Sequence, residues 1–291
     1  MKIYLADSSV RHFALAEQGC LSRGIPLKIR RILLSYHYVQ NTPLDSLLEK
    51  HFVEPYPEVF LDSGAFSAFS QGAKVDIVAY CNYISQYKHL LTVYSNLDVI
   101  GSAEGTFANQ KHMEKRGLEP LPVFHVGEDW KYLKTYLEYR PYIALGGMVP
   151  YNSSGRSKKI IPWLVQCFKR AKNISVYHGF GCTSWDLIMN FPWYSVDSST
   201  WSQAYRWGKP LLFDKNMGRF FEVRLGDYRK CYRYASLFRS LGFDPIDFSD
   251  REKNKKVDVC AIAALSFVQA EQWLERRHGP ITIPERNETS A

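Results

Sequence analysis

Zinc-type cysteine spacing is missing from this chain. Its six cysteines stand at positions 20, 81, 167, 182, 231 and 260. None forms a Cys-x-Cys or Cys-x-x-Cys step, and none has a nearby histidine at finger spacing. That argues against a local zinc knuckle or ribbon. Cys81, Cys167 and Cys231 fall inside apolar helical patterns, and the first residues do not read as a secretory leader. A reduced, cytoplasmic protein is therefore expected. Long apolar runs are also missing. The longest lies near Val257–Val268 and is interrupted by Asp258 and Ser266. A membrane helix needs about 20 such residues, so no membrane partner is expected. There is no repeat of fixed period and no low-complexity tract. No His-x-His follows the first strand pattern, which argues against a metal-dependent hydrolase.

What is present is ordinary globular material with two biases. The 291 residues are 46% hydrophobic and 23% charged, which excludes disorder as the main state. Lysine and arginine number 37 against 29 acidic residues, a net charge of +8. That balance favours polyanionic partners. Aromatics make up 15%, which serves either a Tyr-rich core or stacking surfaces for bases.

Eight short β-rich runs alternate with amphipathic stretches. They are Ile3–Ala6, Ile32–His37, Val59–Asp62, Leu91–Leu97, Leu121–His125, Tyr142–Leu145, Ile174–His178 and Tyr194–Asp197. Helical faces follow several of them. One carries Val75, Val78, Ala79, Asn82 and Tyr83, and another Ile160, Ile161, Leu164, Val165 and Phe168. Shorter helices are read at Asp129–Leu137 and Thr183–Met189. Eight β/α alternations without a strong linker predict an α/β fold, a (β/α)8 TIM barrel. The barrel is expected over residues 1–226, with C-terminal helices packed on it over 227–279 and a flexible tail at 280–291. The first of those helices has Tyr228, Cys231, Tyr232, Ala235 and Phe238 on one face, and the second runs near Val257–Arg277.

In such a barrel the functional groups sit where strands end. Three strand ends carry an aspartate: Asp62, Asp98 and Asp197. A carboxylate aimed into a cleft can act as acid, base or nucleophile. The plainer role is to cap the following turn, but three on one rim favour chemistry. Gly64, Gly146 and Gly147 at the same level let a flat ligand approach the backbone.

These segments together resemble a known family. Leu61-Asp62-Ser63-Gly64-Ala65-Phe66 resembles the Asp-Ser-Gly-Gly-Phe element of the queuine-type tRNA-guanine transglycosylases. Leu145-Gly146-Gly147 resembles the Gly-Gly element of their base pocket. His178-Gly179-Phe180-Gly181, then Asp186-Leu187 and Val196-Asp197-Ser198, resembles their Gly-x-Gly, helix, Asp sequence. The order agrees, and the resemblance covers residues 58 to 201. The zinc signature of the tRNA enzymes is lacking. The chain therefore looks more like the compact, zinc-free branch of phages and bacteria that exchanges guanine in DNA for a 7-deazaguanine.

The resemblance implies an enzyme, a pentosyltransferase that needs no metal or cofactor. Asp197 would be the nucleophile and Asp62 the general acid/base. Asp98 would read the guanine edge, with Ser63, Gly64, Phe66, His125, Gly146 and Gly147 around the base. His125 stands where the tRNA enzymes have a Gln-containing segment, and a structural role is its alternative; His178 is open in the same way. The target base must leave its stack to be reached. Arg156, Lys158 and Lys159 after the sixth strand, Lys209, Lys215, Arg219 and Arg224 after the eighth, and Arg229, Lys230 and Arg233 on the following helix are candidates for the nucleic-acid backbone. Tyr151, Trp201, Tyr205 and Trp207 lie among them as stacking candidates. The expected partners are DNA and a free 7-deazaguanine base, in the host cytoplasm if the protein is phage-encoded. The alternatives are tRNA as the polymer, or a catalytically silent barrel that binds nucleic acid.

Overall fold

The computed structural model describes residues 1–151, 156–250 and 255–285. Eight parallel strands form one sheet: β1 (Lys2–Ala6), β2 (Arg31–Ser35), β3 (Glu58–Asp62), β4 (Leu91–Tyr94), β5 (Val123–His125), β6 (Tyr142–Gly146), β7 (Val176–Gly179) and β8 (Ser195–Ser198). Their spatial order is β4-β3-β2-β1-β8-β7-β6-β5, so β1 pairs with β8 as well as β2. An isolated parallel bridge, Ser95 to Leu121, joins the chain after β4 to the chain before β5. The chain is a (β/α)8 barrel of TIM type. The strands are continuous apolar runs (Ile32-Leu33-Leu34, Val59-Phe60-Leu61, Ile143-Ala144-Leu145) because a parallel sheet is covered on both faces.

Alternation splits each run between two cores. Tyr4, Ala6, Leu33, Phe60, Leu121, Val123 and Ala144 fill the barrel interior. Their neighbours Ile3, Leu5, Ile32, Leu34, Val59, Leu61, Ile143 and Leu145 join the layer under the helices. The interior is packed, so chemistry is confined to the rim.

A helix, Lys256–His278, packs against β1 and against the helix Arg11–Leu21 that follows it. The two helices approach closely at Gly19, where a Cβ would lie 2.7 Å from the Val257 carbonyl oxygen and 2.8 Å from Ala261 Cβ. Near its end Glu271 accepts from the Ile3 N–H at 2.7 Å and from Arg31 at 2.7 Å. Arg31 also meets Glu58 at 3.1 Å. Removing Glu271 leaves a buried guanidinium short of one partner and Ile3 N–H with none. Glu271→Ala is therefore expected to cost about 3–5 kcal/mol. Thermal denaturation should show it as a fall on the order of 10 °C.

Several local expectations are corrected. The second strand ends at Ser35 rather than His37, since Tyr36–Val39 turns into helix so that the Tyr36 ring can pack on Tyr80 and Tyr83. The fourth ends at Tyr94. The fifth starts at Val123, because Pro122 has no N–H to give a ladder. The helix Ile77–Tyr87 turns Tyr80, Cys81, Ile84 and Tyr87 inward, while Val78, Ala79 and Asn82 are exposed. In Ser157–Ala171 the buried face is Ile160, Leu164, Cys167 and Ala171, with Ile161 and Val165 outside. In both helices apolar residues one step round from the buried face, Val78 and Ala79 in the first and Ile161 and Val165 in the second, are left in solvent. The face drawn through Tyr228 and Phe238 belongs to two helices, Tyr228–Arg233 and Ala235–Ser240, and Tyr228 is exposed. Between the barrel and these helices lies an unforeseen antiparallel ribbon, β9 (Leu211–Asp214) and β10 (Arg219–Glu222). Its turn is built by Asp214, whose Oδ1 accepts from Asn216 and Met217 N–H, and by Gly218 at φ 62°.

Candidate active site

The C-terminal ends of β3, β4, β5, β7 and β8 bring five titratable side chains to one rim. Asp62 closes β3. Its Oδ2 accepts from Gly64 N–H at 2.9 Å, a turn that places Gly64 at φ 74°. A Cβ at Gly64 would run into Ser35 Oγ and His37, so the turn requires glycine. Ser95 Oγ donates to Asp62 Oδ1 at 3.4 Å and itself accepts from Ser63 N–H. Burial, reinforced by the charges of Asp98 and Asp197, pushes the Asp62 carboxyl up to about 7. The Gly64 N–H opposes this only in part. Asp62 is thus half protonated near neutrality.

Asp98 lies on the loop after β4, which is held by Asn109 on the Leu97 carbonyl and by Thr106 on the Val99 N–H. Its Oδ2 is 3.2 Å from His125 Nε2. On the other side Glu128 Oε1 lies 3.0 Å from His125 Nδ1, and its Oε2 accepts from His125 N–H. Burial works against charge on this ring, but Asp98 and Glu128 together outweigh it and raise His125 to about 10. The imidazolium therefore donates to a carboxylate at each nitrogen. Gly146 makes room for it, since a Cβ there would lie 2.6 Å from His125 Cδ2. Gly147 follows at φ 75°. Asp98 Oδ1 and both amide atoms of fully buried Asn96 have no hydrogen-bond partner among the described residues.

Asp197, on β8, is held differently. Its Oδ1 accepts from Gly181 N–H at 2.7 Å and lies 3.3 Å from His178 Nε2. His178 is wholly buried against Phe60 and Phe180, and burial lowers its pKa, so the ring is neutral. A neutral imidazole has one N–H. With a carboxylate at Nε2, that nitrogen carries the proton and Nδ1 accepts from Ser195 Oγ at 2.7 Å. Ser195 in turn lies 2.6 Å from the Tyr142 hydroxyl. The chain Tyr142–Ser195–His178 thus ends on Asp197 Oδ1, and Oδ2 takes part in neither contact.

The rest of the expected set is dispersed. Ser63 is buried, and its hydroxyl accepts from Ala65 N–H at 3.3 Å, at the start of the short helix Ala65–Ser70. Phe66, in that helix's first turn, is exposed. Arg156, Lys158 and Lys159 are exposed at the start of Ser157–Ala171, which begins at the rim. That helix has no acidic residue in its first turn and no side-chain cap, so three cations face the positive end of its dipole. Lys209 pairs with Glu222 at 3.9 Å. Lys215 and Arg219 sit at the far end of the β9–β10 ribbon. There Gly218 abuts Trp273, two residues from the Glu271 that binds the start of β1. That end of the ribbon lies on the barrel flank between Trp273 and Trp185, whose Nε1–H donates to the Gly218 carbonyl at 2.8 Å. Trp201 is buried, its Nε1–H on the Ala6 carbonyl at 3.0 Å.

Sequence reading passed over Glu128, Asn96, Ser195 and Tyr142. Glu128 had a signal, an acid three residues after a strand-end histidine. Ser195 and Tyr142 had none, since they meet only because β6, β7 and β8 are adjacent.

No family model matches this chain, and no match was found among curated proteins. Among solved structures, a chain from Coccidioides immitis designated a fructose-1,6-biphosphate aldolase aligns over 94% of this chain and 90% of its own. The identity is 11% and the TM-score 0.49. A likeness of that size carries no inference about this chain's chemistry.

Proposed function

We propose that this barrel is a glycosyltransferase that exchanges guanine in DNA for a 7-deazaguanine base through a covalent Asp197–sugar intermediate. The observation that carries this reading is the pair Asp62 and Asp197. They are two carboxylates on one rim, one pushed to about 7 and the other held by a neutral histidine and a backbone N–H. Groups so arranged divide acid and nucleophile roles between them.

In the first half-reaction Asp197 Oδ2 attacks C1′ of the target nucleotide. The C1′–N9 bond breaks, and the departing guanine takes a proton from Asp62. In the second half-reaction N9 of the 7-deazaguanine attacks C1′, its proton passes to Asp62, and the Asp197–sugar bond breaks. Two displacements return the starting configuration, and the strand is never cut. His178 and Gly181 steady Asp197 without consuming its reactive oxygen. The guanine edge offers a ring N–H and an amine, the donors that Asp98 Oδ1 lacks. His125, charged and clamped by Glu128, holds Asp98 in place.

Extruding the base costs on the order of a few kcal/mol, which backbone contacts must offset. We assign that role to Arg156, Lys158 and Lys159, which are exposed at the start of Ser157–Ala171. The test is incubation of purified protein with labelled guanine or 7-deazaguanine and either duplex DNA or tRNA. Label is expected in DNA. Label in tRNA alone would overturn the choice of polymer, and label in neither would overturn base exchange.

A further inference from the structure

A second polar cluster stands beside the carboxylate rim and has no part in the chemistry above. Asp7 follows β1, one strand over from Asp197, as the pairings Tyr4 with Asp197 and Leu5 with Ser198 show. Its buried carboxylate accepts from the Tyr205 hydroxyl, from Ser9 N–H at 3.1 Å and from Arg206 at 3.3 Å, and His12 Nδ1 lies 3.2 Å away. Trp201, bonded to the Ala6 carbonyl, pins the same loop. The segment after β8 is thus fastened to the end of β1.

Beside this anchor lies an open groove of about 960 Å³, counting the space open to solvent, lined by Tyr205, Arg206, Trp207, Leu225, Lys256 and Val259. A second concavity, lined by Arg224 to Arg229, continues from it past the shared Leu225. Trp207 is 71% exposed and Tyr228 61%, with one face of the Tyr228 ring stacked on Tyr232 at 4.3 Å. Exposed cations alternate with these rings: Arg206 and Lys256 in the first part, Arg224 and Arg229 in the second. The Lys256 ammonium lies over the Tyr205 ring at 5.3 Å. Asp227 is the acid in the lining, and its side chain already caps the helix Tyr228–Arg233 through Lys230 N–H.

We propose that this groove is a subsite for a single nucleic-acid strand flanking the target nucleotide, with bases stacked on Trp207 and Tyr228 and phosphates on Arg206, Lys256, Arg224 and Arg229. Rings spaced among cations along a trough are what an unpaired strand requires: a flat face for each base and a charge for each phosphate. A small anion would leave the exposed rings unused, and an apolar partner would leave the ammonium and guanidinium groups of Lys256, Arg224 and Arg229 without a counter-charge among the described residues, while Arg206 already meets Asp7. The inference deepens the reading of the rim as a base-exchange site. It also moves the strand's path off Lys215 and Arg219, which lie on the flank outside the groove lining.

The experiment measures binding of a 5′-fluorescein 15-mer of oligodeoxythymidine by fluorescence anisotropy at several salt concentrations. The proteins are wild type, Trp207→Ala, Lys256→Gln and the flank double variant Lys215→Ala/Arg219→Ala. Trp207 and Lys256 are exposed, so the folded state should survive, and thermal denaturation checks it. Trp207→Ala is expected to raise Kd about tenfold with an unchanged salt slope. Lys256→Gln is expected to raise Kd and lower that slope by about one. The flank variant should bind as wild type does. Binding unaltered by Trp207→Ala, or inorganic polyphosphate competing equally well with wild type and Trp207→Ala, would reduce the groove to an anion trough and overturn the proposal. Loss in the flank variant alone would overturn the assigned path. If the groove variants weaken binding while no protein exchanges a base, the groove stands and the base-exchange reading falls.

Discussion

Asp197→Asn is expected to abolish base exchange, by roughly 10³-fold or more, while nucleic-acid binding stays within about twofold of wild type. The substitution keeps the side-chain shape. The amide oxygen still accepts from Gly181 N–H and from the His178 Nε2–H, so the contacts that set the loop after β7 are preserved. What is lost is the anionic oxygen that bonds to C1′. Wild type incubated with DNA in the absence of an incoming base should accumulate a protein–DNA adduct that survives denaturation and is visible by gel shift and intact mass. The variant should accumulate none. Unchanged exchange in Asp197→Asn would remove it as nucleophile, and with it the covalent route.

Asp62 has the second large effect, and it shows in two opposite directions. As the acid that protonates the leaving guanine, it must carry a proton at the start of the first half-reaction. With its carboxyl at about 7, the protonated fraction falls from about nine-tenths at pH 6 to about one-tenth at pH 8. The rate of guanine release should therefore drop about tenfold per pH unit above 7. Asp62→Asn should lose both the activity and this limb of the profile. A profile that is flat between pH 6 and 9 would argue against Asp62 as the acid.

Stability should move the other way. The folded-state carboxyl lies above its ordinary 3.8 because burial and the charges of Asp98 and Asp197 oppose ionisation. Folding therefore has the full benefit of the neutral form below about pH 4. That benefit is lost as pH rises to about 7, and stability is level beyond it. The loss at pH 8 is at most about 4 kcal/mol. Asp62→Asn removes the charge that causes it. The variant should melt above wild type at pH 8, and the gain should vanish near pH 4. A site that is more stable without its acid, yet inactive without it, is the usual relation between function and strain at an active site.

The barrel was legible in the residues for a local reason. A strand covered on both faces must be apolar along its whole length, and the first polar residue after such a run marks the end where the backbone enters a loop. Val59-Phe60-Leu61-Asp62 states both facts within four residues, whereas β8 is the short Ser195-Val196-Asp197-Ser198 and Asp98 stands four residues beyond the end of β4. Asp62 could therefore be assigned to the rim before any fold was in view, and Asp98 and Asp197 only by their nearness to a strand end. The β9–β10 ribbon was missed although Asp214 and Gly218 mark its turn, because its short strands do not stand out against the helices on either side. Helix faces erred for a related reason. Val78 and Val165 are apolar and near the right phase, and only the position of the neighbouring strand says which side is inward.

The state of each carboxylate was not legible at all. Burial is the main cause of the Asp62 shift, and the two charges that add to it, against the Gly64 N–H nearby, come from remote segments: Asp98 through the β3–β4 pairing and Asp197 through the β1–β8 pairing. His178 looks in sequence like any strand-end histidine, yet burial beneath the rim strips its charge. His125, with a carboxylate at each nitrogen, keeps its own far above neutrality. The Asp7 anchor with Tyr205 and Arg206 likewise joins the first strand to the loop after the last. Strand identity and strand ends depend on neighbours in sequence, so the residues alone determined the barrel and its ring of aspartates. Protonation, tautomer and groove depend on distance and dielectric between segments remote in the chain, and only the closed tertiary structure decides those.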